Sequence, residues 1–194
     1  FNDFLIKVYM KKITLILFFF MQFFAVAEVY AECNLSKFSF GSSIDNVEEK
    51  LKAMGADKSL PVSGPSGNDS SQDRYSLVLA GELICKNDKE FLGAPIEMVF
   101  LYNKLVEIYI YKFIEFGDSP ELVNWAESSY GAKDFKPEDF YAPKPNAFWL
   151  WDAIDSTVFY TLESIEYGVN EEIKIQTNKY EDLYKKYSEV QDDI

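Results

Sequence analysis

Carboxylates and aromatic side chains are the residues of this chain that could do chemistry or make specific contacts. The sequence contains no histidine, so serine and cysteine triads lose their usual base and zinc sites lose their usual imidazole ligands. It has neither a phosphate-binding glycine loop nor a Gly-x-Ser-x-Gly motif. The acidic segment 68–73 lacks the EF-hand register. We therefore predict a protein that is not an enzyme and has no cofactor or metal site.

Paired carboxylates are the catalytic chemistry that remains open. Asp152 with Asp155, and Glu171 with Glu172, are the nearest such pairs in sequence. A glycosidase needs two carboxyl groups about 5 to 9.5 Å apart across a cleft, one of them with a raised pKa. Acidic residues are rarely buried, so solvated turn residues are the favoured interpretation. A carboxylate-only glycosidase ranks third among our hypotheses.

Aromatic residues give the positive signal for function. The candidate binding residues are Tyr109 and Tyr111 on one strand face, Trp149 and Trp151 on a face of a later strand, and Phe140 and Tyr141 in a proline-bounded loop. Tyrosine and tryptophan supply large, stiff contact areas and are enriched at binding hot spots. The alternative is that these rings pack inside the chain, as most large aromatic residues do.

An export signal is predicted at residues 1–31. Met10, Lys11 and Lys12 precede an apolar run at residues 13–24, and small residues favour cleavage after Ala27 or Ala31. We interpret residues 1–9 as an upstream extension of the natural start. The apolar run is shorter than the roughly 20 residues that span a bilayer, so we expect no stable membrane insertion after cleavage. The predicted location is periplasmic or secreted.

A disulfide between Cys33 and Cys85 is predicted from the export signal. These are the two cysteines of the chain, and an even number of cysteines in an exported protein favours pairing. Closing a loop of about 53 residues would contribute on the order of 4 kcal/mol in the chain-entropy model. Two buried free thiols are the alternative.

The charge of the chain restricts its partners. Lysine and arginine number 19 against 32 aspartates and glutamates, for a net charge of -13. Signal cleavage would remove three lysines and two acidic residues, which changes -13 to -14. Nucleic acids and anionic lipids attract clusters of lysine and arginine, so we predict neither as a partner. A cationic partner is compatible with this net negative charge.

The predicted elements alternate between one helix and three strands. Ser43 and Ser119 are predicted to cap two helices, because apolar residues recur at helical spacing after each of them and Gly55 and Gly131 follow the two runs. Asn178 is predicted to cap a last helix. Strands are expected at residues 37–40, 75–85, 96–102, 105–113, 148–151, 157–163 and 172–177, with a flexible loop at 59–73.

These elements predict a single α+β domain over residues 32–194. Val106, Ile108 and Ile110 alternate with Glu107, Tyr109 and Tyr111, which is typical of a sheet with one covered face. We expect an antiparallel sheet with helices packed on the aliphatic face. Helix-cap and core positions of the two halves align at an offset of 76, including Ser43 with Ser119 and Gly55 with Gly131. A tandem helix-plus-three-strand repeat and coincidence both explain this alignment.

Two resemblances extend this interpretation. The turn Phe40-Gly41-Ser42 leading into Val47 and Leu51, followed by Gly55, resembles the helix entry of the BamE-type outer-membrane assembly lipoproteins. The tandem halves resemble the β-lactamase inhibitory protein family, which pairs two helix-plus-sheet modules and presents an aromatic sheet face to its target. The lipid-attachment motif of the first and the disulfide in each module of the second are absent here. The resemblance implies a binding role and assigns no interface residue.

The leading hypothesis is therefore an exported, non-enzymatic binding module. We expect it to recognise a protein or cell-envelope partner through an aromatic sheet face. The alternative is an acidic inhibitor of a cationic secreted enzyme such as a lysozyme, because the net charge of -13 would steer such a partner electrostatically.

Overall fold

The computed structural model describes residue 33 and residues 35–56, 62–65, 73–86, 88–131 and 147–192. The predicted export signal, the candidate residues Phe140 and Tyr141, and most of the predicted loop at 59–73 lie outside the described residues. Within these ranges, every helix is too short or too polar to cross a bilayer.

The described residues form an α+β fold around one antiparallel sheet, which confirms the predicted class. Its seven strands are β1 (Val62–Pro65), β2 (Arg74–Ala80), β3 (Pro95–Leu101), β4 (Lys104–Glu115), β5 (Ala147–Ala153), β6 (Ser156–Ile165) and β7 (Gly168–Thr177). Their order in the sheet is β1-β2-β3-β4-β7-β6-β5. The pair formed by β4 and β7 therefore joins the strands of the two halves at the centre.

Four α-helices accompany the sheet in the described ranges. They are α1 (Ile44–Ala53), the single turn α2 (Gly81–Ile84), α3 (Leu122–Tyr130) and α4 (Glu181–Asp192). The predicted cap of α1 is present, since the Ser43 hydroxyl accepts a hydrogen bond from the Asn46 amide at 3.3 Å. Gly55 follows α1 with φ of +84°, a backbone conformation that favours glycine.

Two segments differ from the predicted strands and loops. A 3₁₀ turn at Leu35–Lys37 replaces the strand expected at 37–40, and Phe38 after it is buried in the core. Strand β1 lies inside the predicted loop, where it pairs antiparallel to β2. Its Ser, Gly and Pro residues have low strand propensity, so pairing with a neighbouring strand decides its conformation.

The expected strand at 75–85 ends early, at Ala80, and the chain turns into α2. The Gly81 amide donates to the Ala94 carbonyl at 2.9 Å. A Cβ atom at Gly81 would lie 2.5 Å from that carbonyl oxygen, so the close approach of the two backbones requires glycine. This contact redirects the chain toward Cys85.

One side of the sheet is aliphatic and is covered by α1 and α3. Ile108 and Ile110 of β4 face the same way as Ile173 and Ile175 of β7, and all four are buried. They belong to a core cluster with residues of α1 and α3, namely Val47, Leu51, Leu122, Trp125 and Ala126. This side forms the main hydrophobic core.

Helix α4 packs on the opposite side of the sheet, so the prediction that the helices share one face is not confirmed. Its Leu183, Tyr184 and Tyr187 contact a second cluster of Val99, Leu101 and Val106. The pairing register of β3 and β4 shifts between Val99 and Phe100. Because such a bulge changes which side the next residue faces, Val106 joins the second cluster rather than the predicted aliphatic face.

The predicted disulfide between Cys33 and Cys85 is present. Both cysteines are buried, and the bridge connects the segment before α1 with the residue after α2. It therefore links the start of the described chain to the part of the sheet that β2 and β3 form.

Replacing both cysteines by alanine is expected to lower the free energy of unfolding by about 4 kcal/mol. The bridge joins residues 52 positions apart, and its removal releases loop entropy to the unfolded chain. Urea unfolding of the oxidised protein and the variant measures the difference. The single variant Cys33→Ala serves as the control and should lose about the same amount. Equal stability of oxidised and double-variant protein would contradict this account.

Candidate functional site

The side of the sheet opposite the main core carries the candidate site, which we call the tyrosine face. It consists of Glu97, Tyr109, Tyr111, Phe159, Glu172 and Lys174, all half-buried. Tyr109 lies opposite Glu97 on β3 and Lys174 on β7, and Phe159 of β6 lies opposite Lys174. The strand register therefore brings residues from four strands together.

Tyr109 and Tyr111 form a stacked pair at the centre of this face. Their ring centroids are 5.7 Å apart and the ring planes differ by 1°. Residues two apart on one strand point to the same side and lie about 7 Å apart along the chain, so the two rings stand next to each other along β4. We call this stacked pair the platform.

Carboxylates fix both tyrosine hydroxyls. The Tyr109 hydroxyl donates to Oε2 of Glu107 at 3.1 Å, and the Tyr111 hydroxyl donates to Oε2 of Glu97 at 3.3 Å. Burial raises the pKa of each tyrosine above 10, and the nearby carboxylates raise it further. Both hydroxyls therefore stay protonated at neutral pH and keep the rings in place.

Lys174 is the cation of the tyrosine face, and its charge is already matched. Its ammonium group lies 3.1 Å from Oε1 of Glu107. The same nitrogen lies 5.6 Å from the Tyr109 ring centroid and 5.8 Å from that of Phe159, within the range of cation–π attraction. Lys174 thus joins the platform to β6 rather than presenting a free charge.

Glu172 is held in an environment that disfavours its charge. Burial is the main cause that raises its pKa above 4.5, and the carboxylates of Glu163 and Glu97 raise it further, while Lys174 lowers it. The net direction is upward. Lys174 therefore offsets only part of the cost of holding a carboxylate at this end of the face.

The structure separates the two tryptophan candidates from the two tyrosine candidates. Trp151 lies opposite Val158 and is 1% exposed, and its indole N–H donates to the Gly131 carbonyl at 2.9 Å. Trp149 stacks on Tyr160 at 4.7 Å and packs against the main core. Both rings thus lie on the covered side, and the expected four-residue aromatic face does not form.

The side of the sheet that carries Tyr109 holds other residues of β5 and β6 instead of the tryptophans, namely Phe148, Leu150 and Phe159. Phe159 lies opposite Leu150, and the rings of Phe148 and Phe159 are 6.0 Å apart. The alternation within β5 divides its residues into two sets that face opposite sides of the sheet. The sequence does not specify which set lies on the same side as Tyr109, because this depends on the pairing register of β5, β6 and β7.

The candidate carboxylate pairs do not converge on a cleft. Glu171 and Glu172 are neighbours on β7 and point to opposite sides of the sheet, with Glu171 fully buried. Asp155 lies 2.7 Å from the ammonium group of Lys179, and both side chains are exposed. In the part of the chain that the structure describes, no three acidic, cysteine or histidine residues form a metal-binding group.

Glu171 instead holds the start of α3. Its carboxylate accepts hydrogen bonds from the backbone amides of Glu121 at 3.1 Å and Val123 at 3.0 Å, and from the Tyr160 hydroxyl at 3.0 Å. A negative charge at a helix N-terminus is favourable because the first amides lack partners within the helix. The cap predicted at Ser119 is therefore replaced by a side chain from β7.

Comparisons with protein-family models, curated proteins and solved structures found no match for this chain.

Glu171→Gln is expected to lower the free energy of unfolding by about 2 kcal/mol. The amide group can accept fewer of the three hydrogen bonds and loses the charge that favours the helix N-terminus. Urea unfolding at neutral pH measures the change. Glu49→Gln, the same substitution at an exposed position of α1, is the matched control and should leave stability nearly unchanged. Unchanged stability of Glu171→Gln would mean that α3 needs no cap from β7.

Glu172→Gln is expected to raise the free energy of unfolding at pH 7. The folded-state pKa of Glu172 lies above its ordinary value of 4.5, so the charged carboxylate destabilises the folded protein at neutral pH. The gain should disappear near pH 3, where the carboxyl group is protonated in both states. Urea unfolding at the two pH values tests the direction, and a loss of stability at pH 7 would contradict it.

Proposed function

We propose that this protein is an exported, non-enzymatic binding module that recognises a protein or cell-envelope partner through the tyrosine face. The stacked pair of Tyr109 and Tyr111 carries the proposal. Its rings are parallel and half-buried, and Tyr109 packs on the same cluster of Val99, Leu101 and Val106 as α4 does. Tyr111 lies outside that cluster, so a partner would reach the platform from the Tyr111 side.

The platform has the properties of a binding hot spot. Rigid aromatic side chains bury a large area and lose little conformational entropy on binding. Here the tyrosine hydroxyls are already bonded to Glu107 and Glu97, so little side-chain freedom remains to be lost. The ring surfaces, rather than the hydroxyl groups, are then the part offered to the partner.

Export to the periplasm or the medium is part of this proposal. Support comes from the signal predicted at residues 1–31 and from the Cys33–Cys85 disulfide. Disulfides persist in oxidising compartments and are rare in the cytosol.

We further propose that the two halves are tandem copies, with α1 and α3 as equivalent helices on the same face. Four strands, β1–β4, follow α1 and three, β5–β7, follow α3, so the copies would correspond over β2–β4 and β5–β7, with β1 an addition to the first half. The last strands of the two sets, β4 and β7, pair at the centre. Gly55 and Gly131 follow the helices with φ of +84° and +87°. This arrangement supports the proposed tandem copies.

An acidic inhibitor of a cationic secreted enzyme is the second candidate. It is favoured by the net charge of -13 and by the proximity of the Glu97 and Glu163 carboxylates to Glu172. Steering by opposite charges raises association rates and weakens as salt screens the charges.

Binding to lysozyme and to peptidoglycan sacculi tests both candidates. We expect one of these probes to bind the wild type and Tyr109→Ala or Tyr111→Ala to weaken that binding about tenfold or more. Tyr167→Ala is the control, because this ring is 74% exposed in the turn after β6. Association rates are measured at low and high salt, and thermal unfolding verifies the fold of each variant.

The outcomes separate the two candidates. A steep fall of the association rate with salt on lysozyme favours the inhibitor, and binding to sacculi that salt hardly changes favours the envelope partner. Binding that survives both tyrosine replacements, or no binding to either probe, would contradict the assignment of these partners to the tyrosine face.

A further inference from the structure

A cavity of about 390 Å³ opens at the Glu172 end of the tyrosine face. Its walls include Tyr111, Phe113, Thr161, Glu163, Asn170 and Glu172. The volume falls within the range of about 300 to 1,000 Å³ that is typical of small-ligand pockets. Strands β4, β6 and β7 supply these side chains, so the walls are parts of the sheet.

Two aromatic rings form one part of the wall. Tyr111 is held by its hydrogen bond to Glu97. Phe113 is 52% exposed, and it lies directly on the backbone of β7 at Gly168. A Cβ atom at Gly168 would come within 2.6 Å of the Phe113 ring, so glycine allows the ring to lie there. An exposed phenylalanine is thereby fixed at the cavity.

The carboxylates of Glu163 and Glu172 form another part of the cavity wall. Among the described residues, no ion pair joins either of them to a cation. Lys174 is paired with Glu107. Lys112 also borders the cavity, but its ammonium group is bonded to the Glu121 carboxylate and to the Glu90 carbonyl. The cavity therefore combines aromatic surfaces with two carboxylates that have no direct ion pair in the described part of the chain, although Lys174 attracts Glu172 at longer range.

We infer that this cavity is a subsite for one arginine side chain of a basic partner protein. A guanidinium group stacks on aromatic rings and donates to carboxylates in a fixed planar geometry. The excess of acidic residues in the chain, 32 against 19 basic ones, matches a basic partner. The inference rests on the proposed function and specifies the chemistry by which the tyrosine face selects its partner.

The raised pKa of Glu172 agrees with this assignment. Its carboxylate is disfavoured by burial and by Glu163 and Glu97. A guanidinium cation placed between Glu163 and Glu172 would offset that repulsion, so arginine binding should lower the pKa of Glu172.

Nuclear magnetic resonance titration with N-acetyl-arginine amide tests the subsite directly. We expect saturable shifts confined to residues around Tyr111, Glu163 and Glu172. N-acetyl-citrulline amide has nearly the same shape without the charge, and it should bind about tenfold more weakly. Equal binding of citrulline would overturn the inference, and equal binding of N-acetyl-lysine amide would overturn the choice of arginine.

Charge-neutralising variants locate the binding. Glu163→Gln and Glu172→Gln are each expected to weaken arginine binding about fivefold. Glu49→Gln removes the same charge from an exposed position on α1, on the other side of the sheet, and should leave binding unchanged. An equal loss in Glu49→Gln would indicate general attraction to an acidic protein and would overturn the subsite.

The subsite and the proposed function can fail separately. Glu163→Gln leaves both tyrosines of the platform in place. If this variant binds lysozyme or sacculi as tightly as the wild type does, the subsite is wrong and the tyrosine face stands. If Tyr109→Ala binds them equally well while the arginine amide still binds the cavity, the tyrosine face is wrong and the cavity remains a cation site.

Discussion

The pairing of β4 with β7 is the interaction on which the rest of the molecule depends. It joins the two sets of strands, and it aligns Ile108 with Ile175 and Ile110 with Ile173. The same register places Tyr109 beside Lys174 on the other side. Because side chains alternate along a strand, a shift of one residue would exchange the aliphatic and tyrosine sides. One ladder therefore defines both the core and the candidate site.

The sequence was informative wherever the signal is local. Neighbouring residues were enough to predict the cap at Ser43 and the alternation through Tyr109 and Tyr111. The predicted compartment was enough to predict the cysteine pairing. It failed where distant residues decide. Glu171 caps α3 from a strand 50 residues away, and register between strands turns Trp151 into the core. Neither effect leaves a local pattern, since tertiary contacts supply the missing partners.

The tyrosine face departs from what stability alone would select. Glu172 keeps a carboxylate in surroundings that disfavour its charge, and Phe113 leaves half of an aromatic ring exposed. Folded proteins tolerate such local conflicts mainly at functional sites. On the main-core side the polar group is satisfied, since Glu171 accepts three hydrogen bonds from protein donors. The contrast between adjacent residues of β7 separates a structural acid from the one that we propose contacts a partner.

Helix α3 is attached to the sheet at both of its ends. Glu171 of β7 holds its first amides, and the Trp151 indole of β5 holds the carbonyl of Gly131 just after its last residue. Nine helical residues extend about 13 Å, and three strands extend about 10 Å across. The helix thus links β5 and β7 across the covered side of the sheet. A substitution in α3 would act on the tyrosine face only through these strands, without changing a residue of that face.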